Sequence, residues 1–129
     1  MDPNFDAIGK TFVTQYYQIF DGPQRADVAA FYGETNSLMT FEGQQIMGKA
    51  KIADKIGQLS FQSIKHLITT IDCQPTFDGG VVVMVFGQLK TDDDPPHSFS
   101  QVFILKKNPP PSQGGFYVEH DVFRLALLS

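Results

Sequence analysis

Residues 81–90 read VVVMVFGQLK, and this stretch decides the fold class. It is apolar, rich in β-branched side chains and without a helical period, so it predicts a strand. Val81, Val83 and Val85 point to one side; Val82, Met84 and Phe86 point to the other. Both sides are apolar. Before it, Phe77-Asp78-Gly79-Gly80 predicts a turn; after it, Asp92-Asp93-Asp94-Pro95-Pro96 breaks the strand. Ser98 to Lys107 predicts the next strand, with Phe99, Phe103 and Leu105 opposing Val102 and Ile104. Asn108 to Gly115 reads as a flexible loop of prolines and glycines. Phe116 to Leu127 predicts the last strand, with Val118 and Val122 opposing Phe123, Leu125 and Leu127. Upstream, the β-branched run from Ile64 to Pro75 predicts a strand that turns back into residue 81.

The front of the chain has a different period. Phe5, Ile8, Phe12, Tyr16 and Ile19 recur at steps of three and four, the spacing of one helical face. Asp2-Pro3 suits an N-cap followed by proline, and Asp21-Gly22-Pro23 suits a stop in which glycine turns left-handed. A shorter helix is predicted from Arg25 to Tyr32, ended by Gly33, and a third from Lys49 to Leu59 with Ile52, Ile56 and Leu59 on one face. Ser37 to Met47 reads as a hairpin turning near Gly43. Three helices followed by a run of long strands imply an α+β fold with an antiparallel sheet, curved so that short helices can pack on it. No repeat or linker divides the chain, so residues 1–129 are expected to form one domain.

The helices can cover one face of that sheet, and in a chain of 129 residues nothing is left for the other. A second copy packed face to face in a two-fold dimer is the economical cover. The alternative is a larger internal core with more helix over the sheet. The composition is 42% apolar and 19% charged with net charge −4. That argues against a disordered chain and against a nucleic-acid binder, and suits a basic protein partner. There is no transmembrane run and no signal peptide pattern, and the single Cys73 allows no internal disulfide, so the cytosol or nucleus is the expected compartment.

Sequence signatures of catalysis are missing: no Gly-rich phosphate loop, no HExxH and no G-x-S-x-G. His66, His97 and His120 lack metal-ligand spacing. His66, beside Leu67 and Ile68, reads first as a hydrogen-bonded structural residue, and Cys73 as core, since Asp72 and Gln74 supply no cation to activate it. Asp92, Asp93 and Asp94 repel one another, so loop stability alone does not ask for them. A docking site for Lys or Arg would. Glu42, flanked by Phe41 and Gly43, suits an apolar contact inside an acidic rim. Calcium fits poorly, because the run lacks D-x-D-x-D spacing and a trailing Glu. Phe5 caps the first helix or offers a partner an apolar spot. Asp121 is expected to pair with Arg124 as a structural ion pair.

Five segments together resemble the nuclear transport factor two family. They are Tyr16 to Asp21 (YYQIFD), Thr40 to Gln45 (TFEGQQ), Gln74-Pro75-Thr76, Gly87 to Pro95 (GQLKTDDDP) and Asp121 to Leu125 (DVFRL), in order and at matching spacing over nearly the whole chain. The resemblance implies a cone: a strongly curved antiparallel sheet wrapped by three helices around an apolar cavity, dimerising through the open sheet face. It implies an import carrier, found in cytoplasm, nucleus and nuclear pore, that binds the GDP form of the small GTPase Ran and the phenylalanine-glycine repeats of nucleoporins. On this chain it implies that Glu42, Asp92 and Asp94 pair with basic residues of Ran. Phe41, Leu59, Ile64 and Phe123 would line the cavity that receives an aromatic side chain, with His66 at the rim. Phe5 would touch the repeats, and Met84 and Val122 would lie in the dimer contact. No cofactor, metal or catalytic residue is implied. Two departures stand out: phenylalanine replaces the tryptophan of some members at Phe5 and Phe41, and Pro95-Pro96-His97 replaces bulkier apolar residues. The rival function is a small-molecule isomerase or dehydratase on the same cone, for which His66 and Asp121 are the candidate ionisable groups. A third is an interaction scaffold without a Ran role.

Overall fold

The computed structural model describes residues 1–109 and 115–126. Most of the proline-rich loop and the predicted strand position Leu127 lie outside the described residues. Helix α1 spans Phe5–Phe20, a 3₁₀ helix Arg25–Phe31 and helix α2 Lys49–Gly57; the strands are β1 (Leu38–Phe41), β2 (Gln44–Met47), β3 (Ile64–Pro75), β4 (Val81–Thr91), β5 (His97–Lys107) and β6 (Phe116–Ala126). They form one sheet in the order β2-β1-β6-β5-β4-β3, curved and unclosed, with β2 and β3 as free edges. The long hairpins are antiparallel as the sequence predicts. The join between β1 and β6 is parallel: the last strand comes to lie beside β1 running in the same direction.

All three helices pack on the concave face. Helix α1 lies over β3 and β4, and the 3₁₀ helix sits between α1, α2 and β6. The buried band of α1 is Gly9, Phe12, Val13, Tyr16, Tyr17 and Phe20. This is rotated from the predicted stripe, so Phe5, Ile8 and Ile19 form its half-buried border. Gly9 is required there: a Cβ would run into the Cys73 sulfur. The helix begins later than Asp2-Pro3 suggests. Asp2 instead accepts the Asn4 N–H at 2.8 Å in a lead-in turn. At its end Gly22 does not take a positive φ, so Pro23 is the stop. The 3₁₀ helix and α2 each end short of their predicted last residues, Tyr32 and Leu59.

Inward-facing Val81, Val83, Val85, Phe99, Phe103, Leu105 and Phe123 build the core with α1. On β6 the predicted partition needs correction. A bulge puts one extra residue, Glu119, between His120, opposite Ile104, and Val118, opposite Leu105. The inserted residue flips the alternation. Val118 is therefore buried on the same side as Phe123, and Val122 alone faces outward. On the convex face Met84, Val102 and Val122 stand in register on three adjacent strands. Met84 is 37% exposed, Phe86 42% and Val122 48%, so this face is apolar and without cover in one chain.

Candidate functional site

Register puts the two acidic turns at one end of the sheet. Phe41 pairs with Phe123, Phe99 with Leu125, Leu89 with His97 and Ile64 with Thr91. The C-terminal ends of β1, β4 and β6 therefore meet the starts of β3 and β5. Glu42 follows β1 and Asp92 follows β4, three strand spacings apart, roughly 14 Å along the sheet.

The Glu42-Gly43 turn closes the β1–β2 hairpin with φ of 51° and 84°. Two consecutive left-handed residues match the twist of a tight hairpin. The Glu42 N–H donates to the Phe123 carbonyl at 3.1 Å, and its Oε1 accepts the Leu125 N–H at 2.5 Å. The turn is thus pinned to β6 with one carboxylate oxygen engaged and the other open. Asp92 is also left-handed, at φ 48°. Its Oδ1 accepts the Ser63 N–H at 2.9 Å, and both oxygens lie 3.2 Å from the Gln62 N–H. The Ser63 amide first, then that of Gln62, holds this carboxyl below the usual carboxylate range. Asp93 and Asp94 are exposed; only the Asp94 backbone is tied, through its N–H to the Thr91 carbonyl at 2.9 Å.

Between these turns lies a narrow cavity of about 20 Å³. Phe41, Ile64 and Phe123 line it together with Tyr16, Phe20, Met39, Ile56, Leu89 and Gln101, and so does His66, which the resemblance puts at the rim. Leu59 does not; it is half-buried against the core in the segment after α2. Phe41 stacks on Phe123 with centroids 4.7 Å apart at 17°. Lys55 holds its ammonium 5.3 Å from the Phe41 ring and donates to the Gln44 side chain at 2.9 Å. His66 is fixed from every side. Its Nδ1 lies 2.6 Å from Asp21 Oδ1, its N–H donates to Asp21 Oδ2 at 2.9 Å, and its ring packs on Tyr17, Phe20 and Phe99. It fastens the end of α1 to β3, a pairing that the sequence, which offers Asp21 only as part of a helix stop, does not show.

Deeper still is a polar chain that sequence reading missed. The Tyr17 hydroxyl donates to Gln101 Oε1 at 2.5 Å, and Gln101 Nε2 donates to Asp121 Oδ1 at 2.8 Å. The Tyr32 hydroxyl donates to Asp121 Oδ2 at 2.6 Å, and Tyr16 and Tyr32 share a hydroxyl contact at 2.8 Å. Asp121 is 1% exposed, and burial pushes its carboxyl up to about 6 against the lowering effect of Tyr32 and Gln101. Asp121 therefore pairs with Tyr32 and Gln101, not with Arg124, which is exposed on the opposite face of β6. The available signal was Gln101, a polar residue in an apolar strand. Among the described residues no three His, Cys, Asp or Glu side chains converge as a metal site would need.

Phe5 sits at the start of α1, half-buried against the core. It is at the other end of the molecule from the acidic turns, since Phe20 and Asp21 mark the cavity end of α1. Met84 and Val122 occupy the convex face.

The nuclear transport factor 2 (NTF2) domain matches residues 8–125. The chain is 45% identical to a probable nuclear transport factor 2 of Caenorhabditis elegans, over 98% of this chain and 96% of that protein. It is 46% identical to nuclear transport factor 2 of Oryza sativa subsp. japonica, over 93% and 95%. Among solved structures, nuclear transport factor 2 of Cryptosporidium parvum superposes with a TM-score of 0.89 at 41% identity, covering 98% of each chain. Fold, cavity and sequence agree: the chain belongs to the nuclear transport factor 2 family.

Proposed function

We propose that this nuclear transport factor is an import carrier whose guest is the GDP-bound form of Ran, held by an aromatic side chain at the cavity mouth and by basic side chains on the rim. The observation that carries the reading is the placement of Glu42 and the Asp92–Asp94 turn at the same end of the sheet as the Phe41–Phe123 mouth. A cavity of about 20 Å³ holds about one water, not an aromatic ring. The guest ring therefore extends the Phe41–Phe123 stack at the mouth, or those rings turn to admit it. Its burial supplies about 2–3 kcal/mol. Charge-assisted pairing with Glu42, Asp92 and Asp94 adds to that and selects one nucleotide state of the guest, because nucleotide exchange that moves the aromatic side chain removes both contacts. His66 and Ile64 hold the cavity wall on the β3 side.

The remaining roles belong to the same proposal. Residues 1–129 act as one domain. Phe5 meets the phenylalanine-glycine repeats of nucleoporins, so carrier and guest cross the pore between cytoplasm and nucleus. Two copies join through the convex face around Met84 and Val122, which covers apolar area that one chain leaves wet. The chain performs no catalysis and needs no cofactor. An isomerase or dehydratase gains no support from the interior, where both Asp121 carboxylate oxygens are engaged, by Tyr32 and Gln101.

The deciding experiment immobilises this protein and offers Ran loaded with GDP or with a non-hydrolysable GTP analogue. Retention of the GDP form alone is expected; equal retention of both forms, or of neither, removes the reading. Met84→Glu tests the assembly. A charge in the middle of an apolar contact should leave a folded chain that sediments as a monomer at micromolar concentration, and an unchanged dimer would refute the interface.

A further inference from the structure

The 3₁₀ helix begins with a cation whose purpose stability does not explain. Arg25 reaches from that helix to the segment between α2 and β3. Its Nη2 donates to the Phe61 carbonyl at 2.6 Å, with the Gln62 carbonyl 3.4 Å away. Its guanidinium carbon lies 4.4 Å above the Phe61 ring. Yet Nη1 is buried and finds no hydrogen-bond partner among the described residues. An apolar side chain of similar length would cover Phe61 without orphaning a donor, but would leave the Phe61 carbonyl without its 2.6 Å partner, so what the arginine adds is its hold on this segment.

What the cation does becomes visible from the other side of the same segment. Asp92 accepts the N–H groups of Gln62 and Ser63, and the Asp92 N–H returns a bond to the Ser63 carbonyl at 3.1 Å. The Phe61–Ser63 peptides thus lie with carbonyls toward a cation and N–H groups toward an anion. Arg25 is also among the charges that hold the Asp92 carboxyl low, behind the two amides. Ser63 leads directly into Ile64 of the cavity wall, and Asp92 leads into Asp94.

We propose that Arg25 is a positioning residue for guest binding: Arg25 and Asp92 clamp the Phe61–Ser63 segment between them, and the clamp fixes the Asp92–Asp94 corner relative to the cavity wall. Arg25 acts on the guest through that segment: its Nη2 is held by the Phe61 carbonyl and its Nη1 is buried. This inference rests on the reading of Ran-GDP as guest and adds a residue that the resemblance does not supply.

The test is a pair of double-mutant cycles on the full-length protein, with affinity for GDP-loaded Ran measured by titration. Arg25→Gln alone should weaken binding about tenfold with the dimer retained. If the clamp acts through the acidic corner, Asp94→Asn should cost at least threefold less in the Arg25→Gln background than in the wild type. Glu42→Gln, on the other side of the mouth, should cost the same in both. Arg25→Lys, which keeps the charge over Phe61 but not the planar fork, should recover part of the loss, and it carries the cycles if Arg25→Gln does not fold. Wild-type affinity in both Arg25 variants overturns the inference, and so does equal coupling to Asp94 and Glu42, which is what general loosening would give. Failure of the wild-type protein to bind GDP-loaded Ran at all overturns the import reading itself, and this inference with it.

Discussion

Glu42→Lys is expected to abolish capture of GDP-loaded Ran, with affinity falling roughly a hundredfold or more while the chain stays folded and dimeric. Reversing a charge opposite a basic guest removes an attraction and adds a repulsion, and a charge pair that the bound guest buries is worth about 2–5 kcal/mol when one member is truncated. The cost to the fold is smaller. Lysine cannot accept the Leu125 N–H, but that N–H is near solvent, and water replaces the lost acceptor at a cost of about 1 kcal/mol. The backbone φ of 51° is equally awkward for both residues. Glu42→Gln separates the two effects. Its side-chain oxygen still accepts from Leu125, so stability should match the wild type while binding falls by an intermediate amount. Titration calorimetry reads the affinity and light scattering the assembly. A folded Glu42→Lys protein that binds like the wild type would show that the carboxylate does not face the guest.

The fold was legible wherever one periodicity ran long enough. Val81 to Lys90 and Ser98 to Lys107 lie where spacing put them, because burying one face of a long element leaves few other registers, and α1 forms as predicted with its buried band rotated from the expected stripe. Errors came where a single local event changed the parity. The Glu119 bulge reassigned Val118, and nothing in the EHDVF run announces it. Helix ends moved because capping depends on φ at one residue, and Gly22 does not use the freedom that made it look like a stop. At the site, charge density and the family resemblance pointed to Glu42 and the aspartate run. Partners across the fold could not be read: Asp21 lies 45 residues from His66, and Tyr32 lies 89 from Asp121. Nor could the size of the cavity, which depends on how side chains from both α-helices and five of the strands close upon it.

Asp121→Asn should remove a decline in stability between about pH 4 and pH 6 that the wild-type protein carries. Burial raises the Asp121 carboxyl from 3.8 to about 6 in the folded state. Below pH 3.8 it is protonated both folded and unfolded, and its titration contributes nothing. Between the two values the folded chain keeps a proton that the unfolded chain has released, so stability falls as pH rises. Above about 6 both states are ionised, and the accumulated cost, about 3 kcal/mol, is constant. Asp92 and Asp78 are held low by hydrogen bonds and act with the opposite sign at lower pH, but both remain in the variant and cancel in the difference. Asparagine makes the comparison clean. The protonated Asp121 carboxyl and the amide that replaces it both offer Tyr32 and Gln101 a donor as well as an acceptor, so the hydroxyl chain through Tyr16 can reverse direction in either protein. Urea unfolding at fixed protomer concentration across about pH 4 to 7 should give curves for the two proteins that separate with rising pH by about 3 kcal/mol in favour of the variant. Parallel curves would mean that the Asp121 charge is stabilised in place by Tyr32 and Gln101, and that the interior tolerates an anion its burial says it should refuse.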